Sequence, residues 1–529
     1  MRAKATYVSD LSSVASAESR ALDAKWIKVL CFLFLAALTI RVTFLLIAAN
    51  NSTDAWSRYI GATVWLRHPG QLPAATASAA WLPMHFWILG SVVWVTKSEI
   101  GARCFSALLG SITVVLVAAI ANRSLGRRVA LWSALLLAFF GLHVAFSVTT
   151  SSEALTVFLV ALGLYAWIRY AVAGSALWML VSATAFNMSC LCRFEPWLCG
   201  PTLALLLVNE DSWALSRGPV RRRWLQAFNF GLLSSLGSLG WLLFSYLKWG
   251  DALKLPHRTM WLNAHFQPSH HSALFRALAV PGSIVISLSP IIAALAILGA
   301  AHILRGGPKA ARAIVAVTFV LFAFNYYSSI RYETTQARYT LLYSWLISPL
   351  AIDGLVCLTA RLGRPNARLA FAGVVGFFVF WQASIATAAI YAPQPIADHL
   401  GALSPMIPLH VELRDLTKWL RGNGGQHGAV ILDDYNWESV DIFRFAQLRA
   451  PETFSIGQQD YDDPAGLRSR LQDFVEVQHP RLLICSPEGL IGKQWCAGSQ
   501  NKVQVSGLEL QLLLLWQGQH WRIYQISYQ

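Results

Sequence analysis

The stretch WIKVLCFLFLAALTIRVTFLLIAANNSTDAWSRYIGATVWLRHPG, residues 26–70, decides the fold of this chain. Residues 26–49 form an apolar run, and about 20 apolar residues are enough to cross a bilayer as a helix. Asp54 follows almost at once and opens a helix-like segment that also carries Arg58. The stretch therefore predicts a membrane span and, directly after it, a charged helix at the membrane surface.

The whole chain has the composition of a membrane protein. Of its 529 residues, 55% are hydrophobic and 13% are charged, whereas a soluble domain is about one quarter charged. Apolar segments of suitable length predict a polytopic α-helical protein with about eleven transmembrane helices. They lie at residues 26–49, 100–121, 129–149, 152–171, 175–192, 196–208, 225–247, 277–301, 311–329, 340–359 and 368–391.

The net charge of +15 reflects membrane topology and does not indicate a nucleic-acid partner. Four basic clusters fall on one side if the spans alternate and the N-terminus is cytoplasmic, as the positive-inside rule requires. The clusters are Arg123/Arg127/Arg128, Arg217/Arg221/Arg222/Arg223, Arg305/Lys309/Arg312 and Arg361/Arg364/Arg368. We expect residues 1–25 to be a cytoplasmic tail before an uncleaved first span.

The same alternation predicts the domains. Residues 26–391 form the transmembrane domain, and within it 50–99 is a first outer loop with two interfacial helices. Residues 392–529 form a small soluble α/β domain on the outer face. Its strand-like runs are GAVILDDY, PRLLICSP and the pair LELQLLLLW and QHWRIYQIS, and its helix-like runs are LRDLTKWLRG and GLRSRLQDFVEV. Cys485 and Cys496 in this domain could form a disulfide in an oxidising compartment.

Two carboxylates at the outer boundary are candidate catalytic groups. Asp54 could act as a base towards a substrate hydroxyl, or it could simply cap the helix that follows it. Glu153, in VTTSSEAL, has no basic partner in the local sequence. A carboxylate in that position is costly unless it is paired or used. The alternative is an acid in the first turn of a helix that Ser151 or Ser152 caps.

Basic side chains predicted on the same face are candidate phosphate ligands, because arginine holds phosphate through charge-assisted and often bidentate hydrogen bonds. They are Arg58, His85, Arg193, Arg258, Arg331 and Arg338. Simpler interpretations exist: Arg193 could pair with Glu195 to close a tight turn, and the last two could flank a helix end. The histidines of residues 248–271 have no zinc-site spacing. No cofactor is certain, although carboxylates could hold a divalent metal.

These residue types fit transfer of a sugar from a polyprenyl-phosphate donor. A carboxylate takes the proton of the acceptor hydroxyl, arginines hold the carrier phosphate, and that phosphate leaves without needing a proton. One rival is a lipid or sugar transporter or flippase without transfer activity, and another is an inactive scaffold that binds cell-wall polymer. The charges gather on one face, ionisable residues within the spans are few, and broken-helix signals in paired halves of the sequence are missing, which favours the enzyme over the transporter.

The sequence also resembles the GT-C membrane glycosyltransferases, in particular the bacterial branch related to protein O-mannosyltransferases and to the aminoarabinose transferase of lipid A. The resemblance spans roughly residues 26–390. It rests on Asp54, WLPMHFWILG, SEIGARCFSALLGSITVVLVA, SSEAL, RFEPW, GDALK and ARYTLLY. Where many members have a second acid, this chain has Ala55.

The resemblance implies a GT-C fold, a polyprenyl-phosphate-linked sugar donor, and a lipid, glycan or protein acceptor. It assigns acceptor activation to Asp54, a nearby place in the cavity to Glu153, and carrier-phosphate binding to basic residues of the outer loops. We therefore expect an inverting glycosyltransferase that is integral to the bacterial inner membrane, with its C-terminal domain outside.

Overall fold

The structure is a computed structural model that describes most of the chain. The described residues are 24–47, 53–66, 69–77, 81–209, 220–259, 272–332, 336–360, 364–391, 411–425, 427–434, 439, 442–443, 446–448, 452–456, 464–496, 502–505 and 508–528. They fall into two compact units, the first within 1–49, 82–264 and 270–406 and the second within 50–81 and 407–529. Most of the predicted tail, residues 1–23, lies outside the described residues.

The first unit is a bundle of apolar helices. In its described part, seven helices are long and apolar enough to cross a membrane, and two bent pairs could add two more spans. In chain order, the helices up to residue 391 are α1 (Ala24–Ile47), α2 (Thr53–Trp65), α3 (Ala74–Ala77), α4 (Pro83–Thr96), α5 (Glu99–Ser124), α6 (Arg127–Phe139), α7 (Gly141–Ser147), α8 (Ser152–Ala173), α9 (Ala176–Cys192), α10 (Cys199–Asn209), α11 (Val220–Trp249), α12 (Ala273–Leu288), α13 (Pro290–Gly306), α14 (Lys309–Tyr332), α15 (Leu341–Thr359) and α16 (Arg364–Tyr391). Of these, α2 and α3 belong to the second unit.

Each of the eleven predicted spans falls on a helix or on a bent pair of helices, but in the described part of the chain at most nine of them are long and apolar enough to cross a membrane. Helices α6 and α7 meet at 63°, and α12 and α13 meet at 106°. The second break lies at Ser289, whose φ is 81°, and Pro290 then begins α13. Proline has no backbone N–H to continue a preceding helix. The span predicted at 277–301 is therefore broken, and α10, with 11 residues, is much shorter than a bilayer-crossing helix.

Helices α13 and α15 approach so closely that their backbones are in contact. A Cβ atom at Gly299 would overlap the carbonyl oxygen of Leu350, and one at Gly354 would overlap that of Leu295. Glycine allows such an approach because it leaves room for the facing backbone. Residues 341–355 of α15 are all buried, which makes it a central helix of the bundle.

The second unit contains a six-stranded mixed sheet. Its elements are α17 (Val411–Gly422), β1 (Val430–Leu432), β2 (Thr453–Ser455), α18 (Pro464–Gln478), β3 (Leu482–Cys485), α19 (Gly492–Trp495), β4 (Lys502–Val505), β5 (Leu508–Gln517) and β6 (Arg522–Tyr528). The strand order is β2-β1-β3-β6-β5-β4. Strand β1 pairs in parallel with β2 and β3, whereas the other pairs are antiparallel. The predicted small α/β domain is confirmed, and β2 and β4 were not foreseen.

The parallel part of this sheet is covered on both faces. Ile431 and Leu483 belong to one apolar cluster, whereas Val430 and Leu482 belong to another. Strands that are buried on both faces have continuously apolar sequences, which explains the sequence VIL of β1 and LLIC of β3. A disulfide joins Cys485, at the end of β3, to Cys496 just after α19.

Candidate functional site

Glu153 lies in the first turn of α8, at the end of a buried polar segment. Residues 149–153 are all buried, and Glu153 is 0% exposed. Ser151 precedes the helix, but its hydroxyl is hydrogen-bonded to that of Thr149 at 2.6 Å and does not cap α8. An acid is favourable at this end of a helix because the N-terminal amides carry partial positive charge. The Oε2 atom of Glu153 has no hydrogen-bond partner among the described residues.

Arg193, at the end of α9, supplies the partner that the local sequence lacks. Its Nη1 donates to Glu153 Oε1 at 3.0 Å and to Ser152 Oγ at 3.3 Å. Its Nη2 donates to Glu195 Oε1 at 2.6 Å, and its Nε donates to the same carboxylate at 3.2 Å. We call Glu153, Arg193 and Glu195 the charged triad. It is almost completely buried and carries two negative charges against one positive charge.

A tyrosine ring connects the charged triad to Arg338. The guanidinium carbons of Arg193 and Arg338 each lie 5.2 Å from the centre of the Tyr339 ring. Both contacts are within the range of cation–π attraction. The short 3₁₀ helix Ala337–Thr340 holds this tyrosine directly before α15. The structure thus brings three predicted site residues, Glu153, Arg193 and Arg338, into one chain of contacts.

An apolar cluster joins the segments that carry His85 and Arg258. Leu82, just before α4, packs with Leu255, and Trp197 from the turn after α9 packs against the same cluster. His85 is 3% exposed and Arg258 is 9% exposed. The cluster therefore holds the start of α4, the turn that carries Arg193 and Glu195, and the segment of Arg258 in one region.

Arg331 has a different environment from the other candidates. It is exposed near the end of α14, and its guanidinium lies 5.5 Å from the ring centre of the adjacent Tyr332. The neighbouring Glu333 and the loop histidines His265, His270 and His271 lie outside the described residues.

Asp54 and Arg58 form an ion pair one helical turn apart within α2. The Nε of Arg58 donates to Asp54 Oδ2 at 3.0 Å, and both side chains are largely buried. The guanidinium of Arg58 also lies 4.4 Å from the ring centre of Trp81. Helix α2 begins at Thr53, so Asp54 lies in its first turn and not at the capping position before it. This pair belongs to the second unit, whereas the charged triad belongs to the first.

Several polar groups buried near the start of α8 were not predicted from the sequence. Arg103 in α5 donates through Nε to the carbonyl of Val148 at 2.7 Å and through Nη2 to that of Leu45 at 3.2 Å. Arg41 in α1 donates to His143 Nδ1 in α7 at 2.6 Å. These bonds tie the end of α1 to the segment that leads into Glu153. Arg41 and Arg103 each interrupt an apolar run of the sequence, and this pattern could have indicated buried polar groups.

In the described part of the chain, the side chains close enough to share a metal ion are His302, Asp353 and Cys357. They belong to α13 and α15 and include none of the predicted site residues. The two carboxylates of the charged triad are instead bridged by an arginine.

One stretch of the sequence matches a family of known proteins. Residues 76–236 match the model of the dolichyl-phosphate-mannose-protein mannosyltransferase family, and this stretch contains His85, Glu153 and Arg193. No curated protein sequence matches the chain.

Similar solved structures cover most of the chain at low identity. ArnT from Cupriavidus metallidurans bound to undecaprenyl phosphate is 13% identical, with a TM-score of 0.58, over 95% of this chain and 98% of that one. The Archaeoglobus fulgidus oligosaccharyltransferase tethered with an acceptor peptide is 12% identical, with a TM-score of 0.52, over 88% and 70%. The oligosaccharyltransferase AglB from Archaeoglobus fulgidus, in complex with an inhibitory peptide and a dolichol-phosphate, is 11% identical, with a TM-score of 0.50, over 87% of this chain and 69% of that one.

At these identities the likeness is one of fold. The chain has the fold of the GT-C membrane glycosyltransferases, as the sequence resemblance implied. Together with its apolar helices, this makes it an integral, multi-pass membrane protein.

Proposed function

We propose that the protein transfers a sugar from a polyprenyl-phosphate carrier to an acceptor hydroxyl. The observation that carries this proposal is the buried charged triad inside an apolar bundle of GT-C fold. Charged groups are costly in such a bundle and are characteristic of functional sites. The similar structures contain undecaprenyl phosphate in one case and dolichol-phosphate in another, which supports a polyprenyl phosphate as the carrier here.

Asp54 is assigned the role of base. The acceptor hydroxyl gives its proton to the Asp54 carboxylate while its oxygen attacks the anomeric carbon, and the bond from that carbon to the phosphate oxygen breaks. Polyprenyl phosphate leaves with the electron pair of that bond and needs no proton. Attack opposite to the leaving group inverts the anomeric configuration. A product with retained configuration would contradict this mechanism.

The carrier phosphate is assigned to Arg338, Arg258 and Arg58. His85 and Arg331 are assigned supporting contacts. Arg193 was also predicted as a phosphate ligand, but its nitrogens already donate to two carboxylates and a serine hydroxyl. We therefore infer that Arg193 positions Glu153.

Glu153 is assigned to bind a substrate hydroxyl. Its Oε1 is held by Arg193, whereas its Oε2 has no partner among the described residues and can accept a hydrogen bond. An ionised carboxylate is an acceptor only, so the matching group on the donor sugar or acceptor is a hydroxyl or an amine.

The base and the phosphate ligands would act at the outer face of a bacterial inner membrane, with the N-terminus in the cytoplasm and the C-terminal domain outside. The basic clusters that flank the spans support this orientation. The acceptor on that face would be a lipid, a glycan or a protein.

Transfer by the purified protein in lipid nanodiscs tests the proposed function. Radiolabelled polyprenyl-phosphate hexoses and pentoses are supplied with envelope extract as the acceptor, and the label on the product is measured. We expect Asp54→Asn to lower turnover by roughly 10² to 10⁴-fold, because a general base contributes that much, without weakening carrier binding. Asp415→Asn, at an exposed acid of α17, is the matched control.

Binding of undecaprenyl phosphate to the same nanodiscs tests the phosphate ligands. Arg338→Gln is expected to weaken binding, whereas Arg305→Gln, at an exposed arginine, is expected to leave it unchanged. Carrier binding without transfer from any donor, accompanied by movement of the carrier between leaflets, would favour the flippase.

A further inference from the structure

A second group of reactive side chains lies outside the proposed active site. His302 of α13 faces Asp353 and Cys357 of α15, and one nitrogen, one oxygen and one sulfur ligand atom all lie within 4.8 Å of one another. The His302 Nδ1 and Asp353 Oδ2 atoms are 2.9 Å apart and share a hydrogen bond. Cys357 is a free thiol.

The close packing of the two helices produces this arrangement. Asp353 and Cys357 are four residues apart, so they lie on one face of α15 one turn from each other. Gly299 and Gly354 bring the two backbones into contact, and His302 lies one turn after Gly299 on α13. The three side chains therefore converge because the helices cross at glycines.

The group is distant from the charged triad. Tyr339, which contacts Arg193, precedes Asp353 by fourteen residues, and that corresponds to about 20 Å along a helix. The end of α13 that carries His302 leads into the basic cluster at Arg305, which the sequence places towards the cytoplasm. The proposed transfer reaction therefore does not use this group.

We propose that His302, Asp353 and Cys357 bind one Zn²⁺ ion, with water in the fourth position. Zinc takes imidazole nitrogen, carboxylate oxygen and thiolate sulfur in tetrahedral sites, whereas magnesium and calcium prefer oxygen ligands alone. One carboxylate and one thiolate neutralise the two charges of the ion. This balance suits a site where the Asp353 side chain is 5% exposed and that of His302 is 31% exposed.

Binding of zinc would replace the hydrogen bond between His302 and Asp353 with two metal bonds. The Cys357 thiol would lose its proton to solvent, because only the thiolate is a zinc ligand. The ion would then hold α13 to α15 and stabilise the bundle from the end opposite to the charged triad.

Metal content of the full-length protein tests this proposal. Protein incubated with Zn²⁺ is desalted, and its metal content is measured by elemental mass spectrometry. We expect about one zinc per chain, because the three side chains together form one site. Cys357→Ala and His302→Ala are expected to lose the zinc, whereas Cys104→Ala, at an exposed cysteine of α5, retains it.

Two further measurements separate loss of the site from misfolding. Cobalt(II) in place of zinc should give a sulfur-to-cobalt charge-transfer band that Cys357→Ala lacks. Zinc should raise the melting temperature of the wild type but not that of Cys357→Ala, while the two proteins melt alike in a chelator. A wild type without bound zinc, or a cysteine variant with as much zinc as the wild type, would overturn the proposal. Neither result bears on sugar transfer, so the two proposals fail separately.

Discussion

Arg193 donates to Glu153 across 40 positions of the chain, and this bond joins the end of α9 to the start of α8. Because the same guanidinium also holds Glu195, it is the one positive charge of the charged triad. Breaking a buried ion pair by removing one partner costs about 3–5 kcal/mol, since the other charge is left uncompensated.

Arg193→Met is therefore expected to lower the melting temperature of the protein in nanodiscs sharply. Adding Glu153→Gln to this variant should restore part of the loss, because the charge left alone is then removed. A double-mutant cycle on these melting data measures the coupling. Purely additive effects would contradict the pairing, and Arg305→Met at an exposed position is the control for loss of an arginine.

Arg103→Lys is expected to lower sugar transfer while the protein stays folded. Arginine binds the carbonyls of Val148 and Leu45 with two separate nitrogens, whereas lysine offers a single point of attachment. The segment before Glu153 would lose one of its anchors and shift the carboxylate. Turnover and carrier binding are measured together, with Arg123→Lys, exposed on the same helix, as the control. Unchanged turnover would show that this anchor is dispensable.

Gly299→Ala is expected to destabilise the bundle, because the added methyl group overlaps the Leu350 carbonyl. Overpacking a closely packed core costs about 1–3 kcal/mol. Gly240→Ala in α11 is the matched control, since a Cβ atom there meets open space and alanine is the better helix former. The check is the melting temperature in nanodiscs; an equal effect of both substitutions would contradict the contact.

The small α/β domain that contains the six-stranded sheet is expected to lose stability as the pH rises from about 4 to about 7. Burial raises the pKa of Asp433 to about 7, although the backbone amides of Ile491, Gly492 and Asp434 donate to it and oppose the shift. In that pH range the folded domain binds a proton that the unfolded chain has released, so the free energy of unfolding falls with rising pH and levels off above the folded pKa.

Hydrogen exchange of β1 and β3 in the full-length protein measures this slope, after correction for the intrinsic effect of pH on exchange. Asp433→Asn should flatten the slope, whereas Asp415→Asn should leave it unchanged. A slope that persists in Asp433→Asn would assign the pH dependence to another group.

The sequence predicted the positions of the apolar helices because lipid requires long apolar runs. Local composition did not reveal the sharp break at Ser289, since the residues on both sides are equally apolar. Strands β1, β3, β5 and β6 were predicted because they are long or continuously apolar. Strand β2, with the sequence TFS, is neither long nor continuously apolar, so no pattern marked it as a strand.

The residue types of the candidate site could be predicted from the sequence, but the ion pairs and ring contacts between those residues could not. The bond between Arg193 and Glu195 spans two positions and was foreseen as a tight turn. Its second bond, to Glu153, depends on how α8 packs against α9, and no local pattern encodes that. The contacts of Tyr339 were not predicted for the same reason. Its ring connects Arg193 to Arg338 only because the fold brings these two arginines from different segments together.

The strand order has a consequence for the synthesis of this protein. Strand β6 lies between β3 and β5, so the sheet is incomplete until residues 522–528 have left the ribosome and reached the domain. A chain cut short before residue 522 would expose two unpaired strand edges, and such edges are sites of aggregation. Because of the placement of β6, loss of this one strand would leave both β3 and β5 without a pairing partner on that side.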